Sequence, residues 1–330
     1  EVMNAEHSLE AEQEVLESSS DCTSCQSYDL YLDEPNTESG GDGSVTTEEP
    51  SGSHQELSAL GGVLFRSDEM ISDLLVYGRD NTDKVTLTIY LKFQGTEGST
   101  ADVTYSLESG GTQIDSFTDS LDDPCTSTFG QGGSCSWTST VVDFEIPSDG
   151  FVVENGKRLE LSVDAQASCE GNSGGFGGGS CDVEVAFGDV EQTSGYSKIE
   201  LKANALADST VRVHRPGGSF TDVEVTEWSP NHRPDFRAMQ FTVDVRDAFG
   251  RDDIQAVDLV LVTPNGATSV FDKSFEDDDL KLDNEGLIGN YSYTYDSGIA
   301  AGEYSLQLEI RDVQGHTLVF EHGGITFIEH

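Results

Sequence analysis

Val85-Thr86-Leu87-Thr88-Ile89-Tyr90-Leu91-Lys92-Phe93 is the stretch from which the fold is read. Apolar residues fill every odd position, and threonine, tyrosine or lysine every even one. A period of two belongs to a strand with one buried and one more polar face. The rhythm recurs in Val103-Tyr105-Leu107, Val142-Phe144-Ile146, Leu159-Leu161-Val163 and Val183-Val185-Phe187, and returns in Ile199-Leu201 and Val211-Val213. Gly110-Gly111 between two such runs marks a tight hairpin. No long helical period appears in residues 55–214. Many short alternating strands divided by Gly, Ser and Asp predict an all-β fold, an antiparallel β-sandwich of jelly-roll type. If successive strands simply reverse, the connections near 94–100, 119–136 and 167–181 leave the same end.

Outward from this region, residues 1–25 are Glu- and Ser-rich with sparse Leu and Val, an acidic tail or linker. The jelly-roll-like unit is assigned to 26–214 and a second sandwich to 215–330. Two His-Arg-Pro triplets, at His214 and His232, with Pro and Gly around them, mark the junction. Beyond it, Met239-Phe241-Val243-Val245 runs into Arg246-Asp247-Ala248-Phe249-Gly250, and Tyr304-Leu306-Leu308-Ile310 runs into Arg311-Asp312-Val313-Gln314-Gly315. Both are strands followed by D-x-x-G, in which Asp caps a turn and Gly takes positive φ. With the run Gly302 to Gly315, this segment resembles the immunoglobulin-like β-sandwich modules of prokaryotic (archaeal) cell-surface and secreted proteins. The resemblance covers about residues 220–330 and implies a fold and a surface setting, with no chemistry attached.

The 330 residues carry 17 Lys and Arg against 62 Asp and Glu, a formal charge of −45. Such a chain is no partner for nucleic-acid phosphates, and no apolar run approaches the ~18 residues that cross a bilayer, so no direct membrane insertion is expected. Self-repulsion on this scale opposes compaction unless salt screens it or divalent cations bind. Adaptation to saline water and calcium binding both favour carboxylates, and the sequence does not separate them. The six cysteines fall in three close pairs, Cys22 and Cys25, Cys125 and Cys135, Cys169 and Cys181. Six cysteines allow fifteen connectivities, and nearest-neighbour pairing rests on loop proximity alone. Persistent disulfides place the protein outside the cytosol, secreted or on a cell surface. The chain begins Glu1-Val2-Met3 without a signal peptide, so removal of a leader, or trimming, is expected.

Ser168-Cys169-Glu170-Gly171-Asn172-Ser173-Gly174-Gly175 looks like the nucleophile loop of chymotrypsin-type serine proteases, but Asn172 stands where that family carries Asp. No histidine lies in the small-small-His-Cys context that the triad requires. Cys22-Thr23-Ser24-Cys25 is a single C-x-x-C in an acidic tail, read as a disulfide rather than a zinc or redox site. Asp247, Asp252, Asp253, Asp277, Asp278 and Asp279 are the carboxylates to weigh for calcium, which takes six to eight oxygens; no D-x-[DN]-x-[DN]-G loop names a ligand set. Phe129, Trp137 and Phe176, in or beside the loops closed by cysteines, are the aromatic ligand-contact candidates. Asn290 opens the one N-x-[ST] sequon. The expectation is a non-catalytic extracellular structural or adhesive module, with other surface proteins or polysaccharide as partners and self-assembly through an edge strand. The alternatives are a carbohydrate-binding module or the ancillary domains of a larger secreted hydrolase.

Overall fold

The computed structural model describes residues 25–35, 40–78, 84–122, 135–169, 181–190, 192–205, 208–214, 227–228, 238–266, 268–275, 280–283, 286–294 and 300–327. The protein is an all-β molecule of antiparallel sandwiches, and among the described residues two strand pairs are parallel, besides the isolated parallel bridge between Leu60 and Ala165. Gly43–Thr46 runs parallel to Val63–Arg66, and Glu227–Trp228 parallel to Thr317–Phe327.

The alternation around Ile89 folds as read. In the strand Lys84–Gln94, Val85, Leu87, Ile89, Leu91 and Phe93 are buried, whereas Thr86, Thr88 and Lys92 are half-buried. Tyr90, on the polar face, is buried as well. Its N–H donates to Ser197 Oγ at 3.1 Å, and its hydroxyl meets Ser194 Oγ at 3.3 Å, so its polar atoms are satisfied beneath the neighbouring segment. One continuous path of strands runs from the edge strand Gln55–Ser58 to the edge strand Thr112–Leu121 and folds around a single core that includes Tyr28, Leu30, Phe65, Tyr105 and Phe144. Gly110 and Gly111 take φ of 56° and 81° between Thr100–Ser109 and Thr112–Leu121, the hairpin that mirror-image turns favour.

Three of the pairings bring strand ends together: Asp182 faces Gln94, Ser168 faces Thr100, and Ala101 faces Leu121. The connections that follow these ends therefore leave one end of the sandwich. There the Cys169–Cys181 disulfide, with its Cα atoms 5.7 Å apart, joins the end of Leu159–Ser168 to the start of Asp182–Phe187. Cys25 and Cys135 are also disulfide-bonded. Cys22 and Cys125 lie outside the described residues.

A second core, built on Phe241, Val243, Leu259, Leu261, Leu308 and Ile310, lies between two further sheets. One contains Asp208–His214, Ala238–Arg246, Gly286–Thr294 and Leu280–Asp283; the other contains Glu227–Trp228, Thr317–Phe327, Gly302–Asp312, Ile254–Val262 and Ser269–Phe275. Asp208–His214 pairs along its whole length with Ala238–Arg246. The partition between the two cores thus falls before residue 208, and not at 214/215, because alternation identifies a strand without saying which sheet will take it.

Gly289 shows how closely the second core is filled. A Cβ there would stand 2.7 Å from Phe275 Cε1 and 2.8 Å from Val243 Cγ2. Gly289→Ala is expected to cost about 1–3 kcal/mol through overpacking, read from guanidinium unfolding in molar salt. An unchanged midpoint would show that Phe275 swings aside freely.

Candidate functional site at the junction of the two sandwiches

The two D-x-x-G turns of the second sandwich lie side by side against the first. Asp247 Oδ1 accepts the N–H of Phe249 at 2.8 Å, and Gly250, at φ 101°, closes the turn onto the Asp247 carbonyl at 3.1 Å. In the other turn Asp312 Oδ1 accepts the N–H of His316 at 2.8 Å, and Gly315, at φ 85°, bonds the Asp312 carbonyl at 3.1 Å. A short 3-10 turn, Arg251–Asp253, follows the first, and the N–H of Val313 donates to the Asp253 carbonyl at 2.8 Å, tying the two turns together.

Each turn then reaches into the first sandwich. Ala248 is fully buried in the first core; its N–H donates to the Ala205 carbonyl at 2.9 Å, and its own carbonyl accepts from Ile71 at 3.1 Å. Phe249 packs on Tyr28, ring centroids 5.4 Å apart. Gln314 acts as a surrogate strand residue. Its Nε2 donates to the carbonyls of Asp29 at 2.6 Å and Thr47 at 2.9 Å, and its Oε1 accepts the Asp29 N–H at 3.1 Å. The Tyr28 hydroxyl, from the strand Gln26–Asp33, donates to Asp312 Oδ2 at 3.0 Å. The His316 ring sits edge-on to Tyr28 at 4.8 Å, places Nδ1 2.6 Å from Asp312 Oδ2, and bonds the Ser27 backbone.

Three carboxylates are enclosed here. Asp247, Asp253 and Asp312 are 0, 2 and 0 % exposed. Asp312 is supplied with donors, but Asp247 Oδ2 and both oxygens of Asp253 find no hydrogen-bond partner. Thr47 stands close enough to Asp253 to ease its ionisation without a well-formed hydrogen bond. Burial, and then the charge of Asp253, push the Asp247 carboxyl well above the ordinary carboxylate range. Burial also pushes Asp253 up to about 6, with the Asp312 charge adding to it. The hydrogen bond to Asp312 raises the His316 imidazole against the opposing effect of burial. Burial followed by the three neighbouring charges makes the Tyr28 phenol harder to ionise. A cavity of about 630 Å³ opens beside Asp253, walled by Thr47, Glu48 and Arg158 from the first sandwich and Arg251 and Asp252 from the second. Arg158 is engaged by the Ser67 carbonyl at 2.8 Å and by Glu69 at 3.2 Å. Arg251 and Asp252 are exposed.

No family model matches the chain, and no curated protein does. Among solved structures it is similar to an aminopeptidase from the marine sediment archaeon Thaumarchaeota archaeon, at 10 % identity and TM-score 0.34 over 54 % of this chain and 37 % of that one. A DUF4785 family protein of Legionella pneumophila aligns at 11 % identity and TM-score 0.24, over 92 % and 64 %. The Parabacteroides merdae beta-glucuronidase aligns at 12 % and TM-score 0.25, over 77 % and 27 %. The chain thus spans between about a quarter and two thirds of the length of these proteins, and likeness at this level carries no functional argument.

Of the carboxylates weighed for calcium, the fold brings Asp247 and Asp253 together and leaves Asp252 facing out; Asp277, Asp278 and Asp279 lie outside the described residues. Asp312, read in the sequence only as a turn residue, is the third member. Tyr28, Gln314 and His316 carry no local signal of their role, since it depends on contacts across more than 280 residues for Tyr28 with Asp312 and for Gln314 with Asp29. Trp137 is half-buried, with Lys92 Nζ 4.4 Å from its ring centroid and the His54 ring at 5.6 Å, so its faces are not a bare platform for a sugar. Phe129 and Phe176 lie outside the described residues, as does Ser173 of the protease-like loop. Asn290 is exposed on Gly286–Thr294 and accepts the Thr242 hydroxyl at 3.0 Å.

The folded junction holds its protons more tightly than the unfolded chain, because the carboxyls of Asp247 and Asp253 and the imidazole of His316 are all displaced upward. Stability from these groups is therefore fully present below about pH 4 and is lost as pH rises through about 6 and then through the raised His316 value. In metal-free buffer Asp253→Asn is expected to flatten this decline. At pH 8 it should be more stable than wild type by on the order of 3 kcal/mol, the worth of a displacement of about two pH units. Urea unfolding at pH 4, 6 and 8 reads both effects, and parallel curves for the two proteins would contradict the assignment.

Proposed function

We propose that the chain is a non-catalytic structural or adhesive module of an extracellular protein, in which two β-sandwiches, the second of immunoglobulin-like type, are held as one spacer. The observation that carries this reading is the junction: two reverse turns of the second sandwich are hydrogen-bonded into the backbone and core of the first. A linker-joined pair would need none of these contacts, and a spacer depends on them. The disulfide chemistry of Cys25, Cys135, Cys169 and Cys181 fits an oxidising, extracellular setting. The ten-residue edge strand Thr112–Leu121, paired among the described residues only with Thr100–Ser109, offers a backbone edge to another surface protein or a second copy. Asp115 and Asp119 on that strand repel a like-charged partner until salt screens them.

The same construction serves as an ancillary part of a larger secreted hydrolase, and the two readings differ in what the spacer holds. In small-angle scattering at molar salt, wild type is expected to give one compact distance distribution, whereas the double variant Tyr28→Phe, Gln314→Ala gives a broader one with each sandwich still folded. Unchanged scattering would remove the junction as the basis of the spacer role. Turnover of chromogenic glycosides or aminoacyl anilides by the purified chain would overturn its assignment as non-catalytic.

A further inference from the structure

We propose that Asp247 and Asp253, backed by Asp312, form a site for one calcium ion at the junction of the two sandwiches. Enclosed carboxylates are costly unless they are paired, protonated or bound to a metal. Here the protein supplies cover to both oxygens of Asp312, to one oxygen of Asp247 and to neither of Asp253. Asp312 accepts from Tyr28, from the His316 backbone and from the His316 ring. Asp247 Oδ2, Asp253 Oδ1 and Asp253 Oδ2 are three bare oxygens on neighbouring side chains that are 0 and 2 % exposed. With all three carboxylates ionised and His316 protonated, the cluster would carry two negative charges, which one divalent ion cancels.

The donor set identifies the class of ion. All the unpartnered atoms are carboxylate oxygens, hard ligands that suit calcium or magnesium; the one nearby imidazole is already engaged with Asp312 and Ser27. Among the described residues no group of three or more His, Cys, Asp or Glu side chains is arranged to hold a metal ion by itself, so Asp247 and Asp253 supply only part of a coordination shell. The remaining oxygens would come from water in the adjoining cavity and from Glu48 in its wall. A partly aqueous, irregular shell is tolerated by calcium, whereas magnesium demands near-ideal octahedral geometry. Few protein ligands also fit the weak affinities, roughly 10⁻⁴–10⁻³ M, of extracellular calcium modules. The inference rests on the junction alone and stands or falls independently of what the module adheres to.

The test uses the full chain, stripped with chelator and held in 1 M NaCl so that general screening is already complete. Calcium is added to millimolar concentration, with magnesium and extra NaCl as parallel arms, and the thermal midpoint is followed. Wild type and Asp272→Asn, which removes an exposed carboxylate on Ser269–Phe275 away from the cavity wall, are expected to rise with calcium and to respond little to the other two salts. Asp247→Asn and Asp253→Asn are expected to lose the rise, although both are at least as stable as wild type in chelator. Terbium, a luminescent calcium substitute, is expected to be sensitised through Tyr28, with the signal lost in Tyr28→Phe and displaced by calcium. That optical readout decides the matter should an Asp variant fail to fold. Equal calcium responses in wild type and Asp253→Asn, or no calcium response and no terbium signal in wild type, would overturn the site and leave a carboxylate pair that shares a proton.

Discussion

Charge enclosed at the junction is the constraint on which the arrangement of the molecule depends. The two hydrophobic cores each close by the ordinary burial of alternating side chains, and the first also takes in Ala248 from the second sandwich. They are made into one body at a polar seam, where Tyr28, Gln314 and Ala248 cross from one sandwich to the other. Asp312 can be buried because Tyr28 and His316 give it donors from both sides of the seam. Asp247 and Asp253 are buried by the same packing without that cover. The seam is therefore specific in register and sensitive to anything that neutralises carboxylates.

Elsewhere the protein handles its carboxylates by sharing scarce cations. Lys92 lies between Glu56, at 3.0 Å, and Glu184, and Lys198 between Asp29, at 2.7 Å, and Glu200, at 3.4 Å. Burial disfavours the charged form of both lysines, but the hydrogen bonds they donate to their paired carboxylates outweigh it and raise their pKa values. With 17 Lys and Arg for 62 Asp and Glu, even this sharing leaves many acidic side chains without such a partner. Isolated surface pairs contribute little, so the ions of the solvent carry most of the remaining balance.

The strands were legible because alternation is a local signal. Val85 to Phe93 declares its buried face within nine residues, and Gly110-Gly111 declares its hairpin within two. Sheet membership was not legible, as Asp208–His214 illustrates: its alternation suits either sandwich, and only its pairing with Ala238–Arg246 settles which core it joins. The D-x-x-G turns were legible as turns, because Asp and Gly fix the local backbone. Their meeting was not, since Tyr28 and Asp312 are 284 residues apart. Trp137 misleads for a related reason: an aromatic beside a Gly-rich loop reads as a contact surface until Lys92 and His54 are seen to cover it.

The place of the strand Gln26–Asp33 governs the order in which the chain can assemble. It lies between Gly43–Thr46 and Lys198–Asn204, so one of its two neighbours arrives only after nearly the whole first sandwich has been made. Pairings of such separation slow folding, because the loop must close before the contact repays it. Mutual repulsion among the carboxylates slows that closure further in dilute solution. A chain emerging residue by residue would therefore stay open until residues 198–204 appear, and would complete the seam only when Asp312 to His316 follow. In concentrated salt the same sequence would collapse sooner, so ionic strength acts as a timer on its maturation.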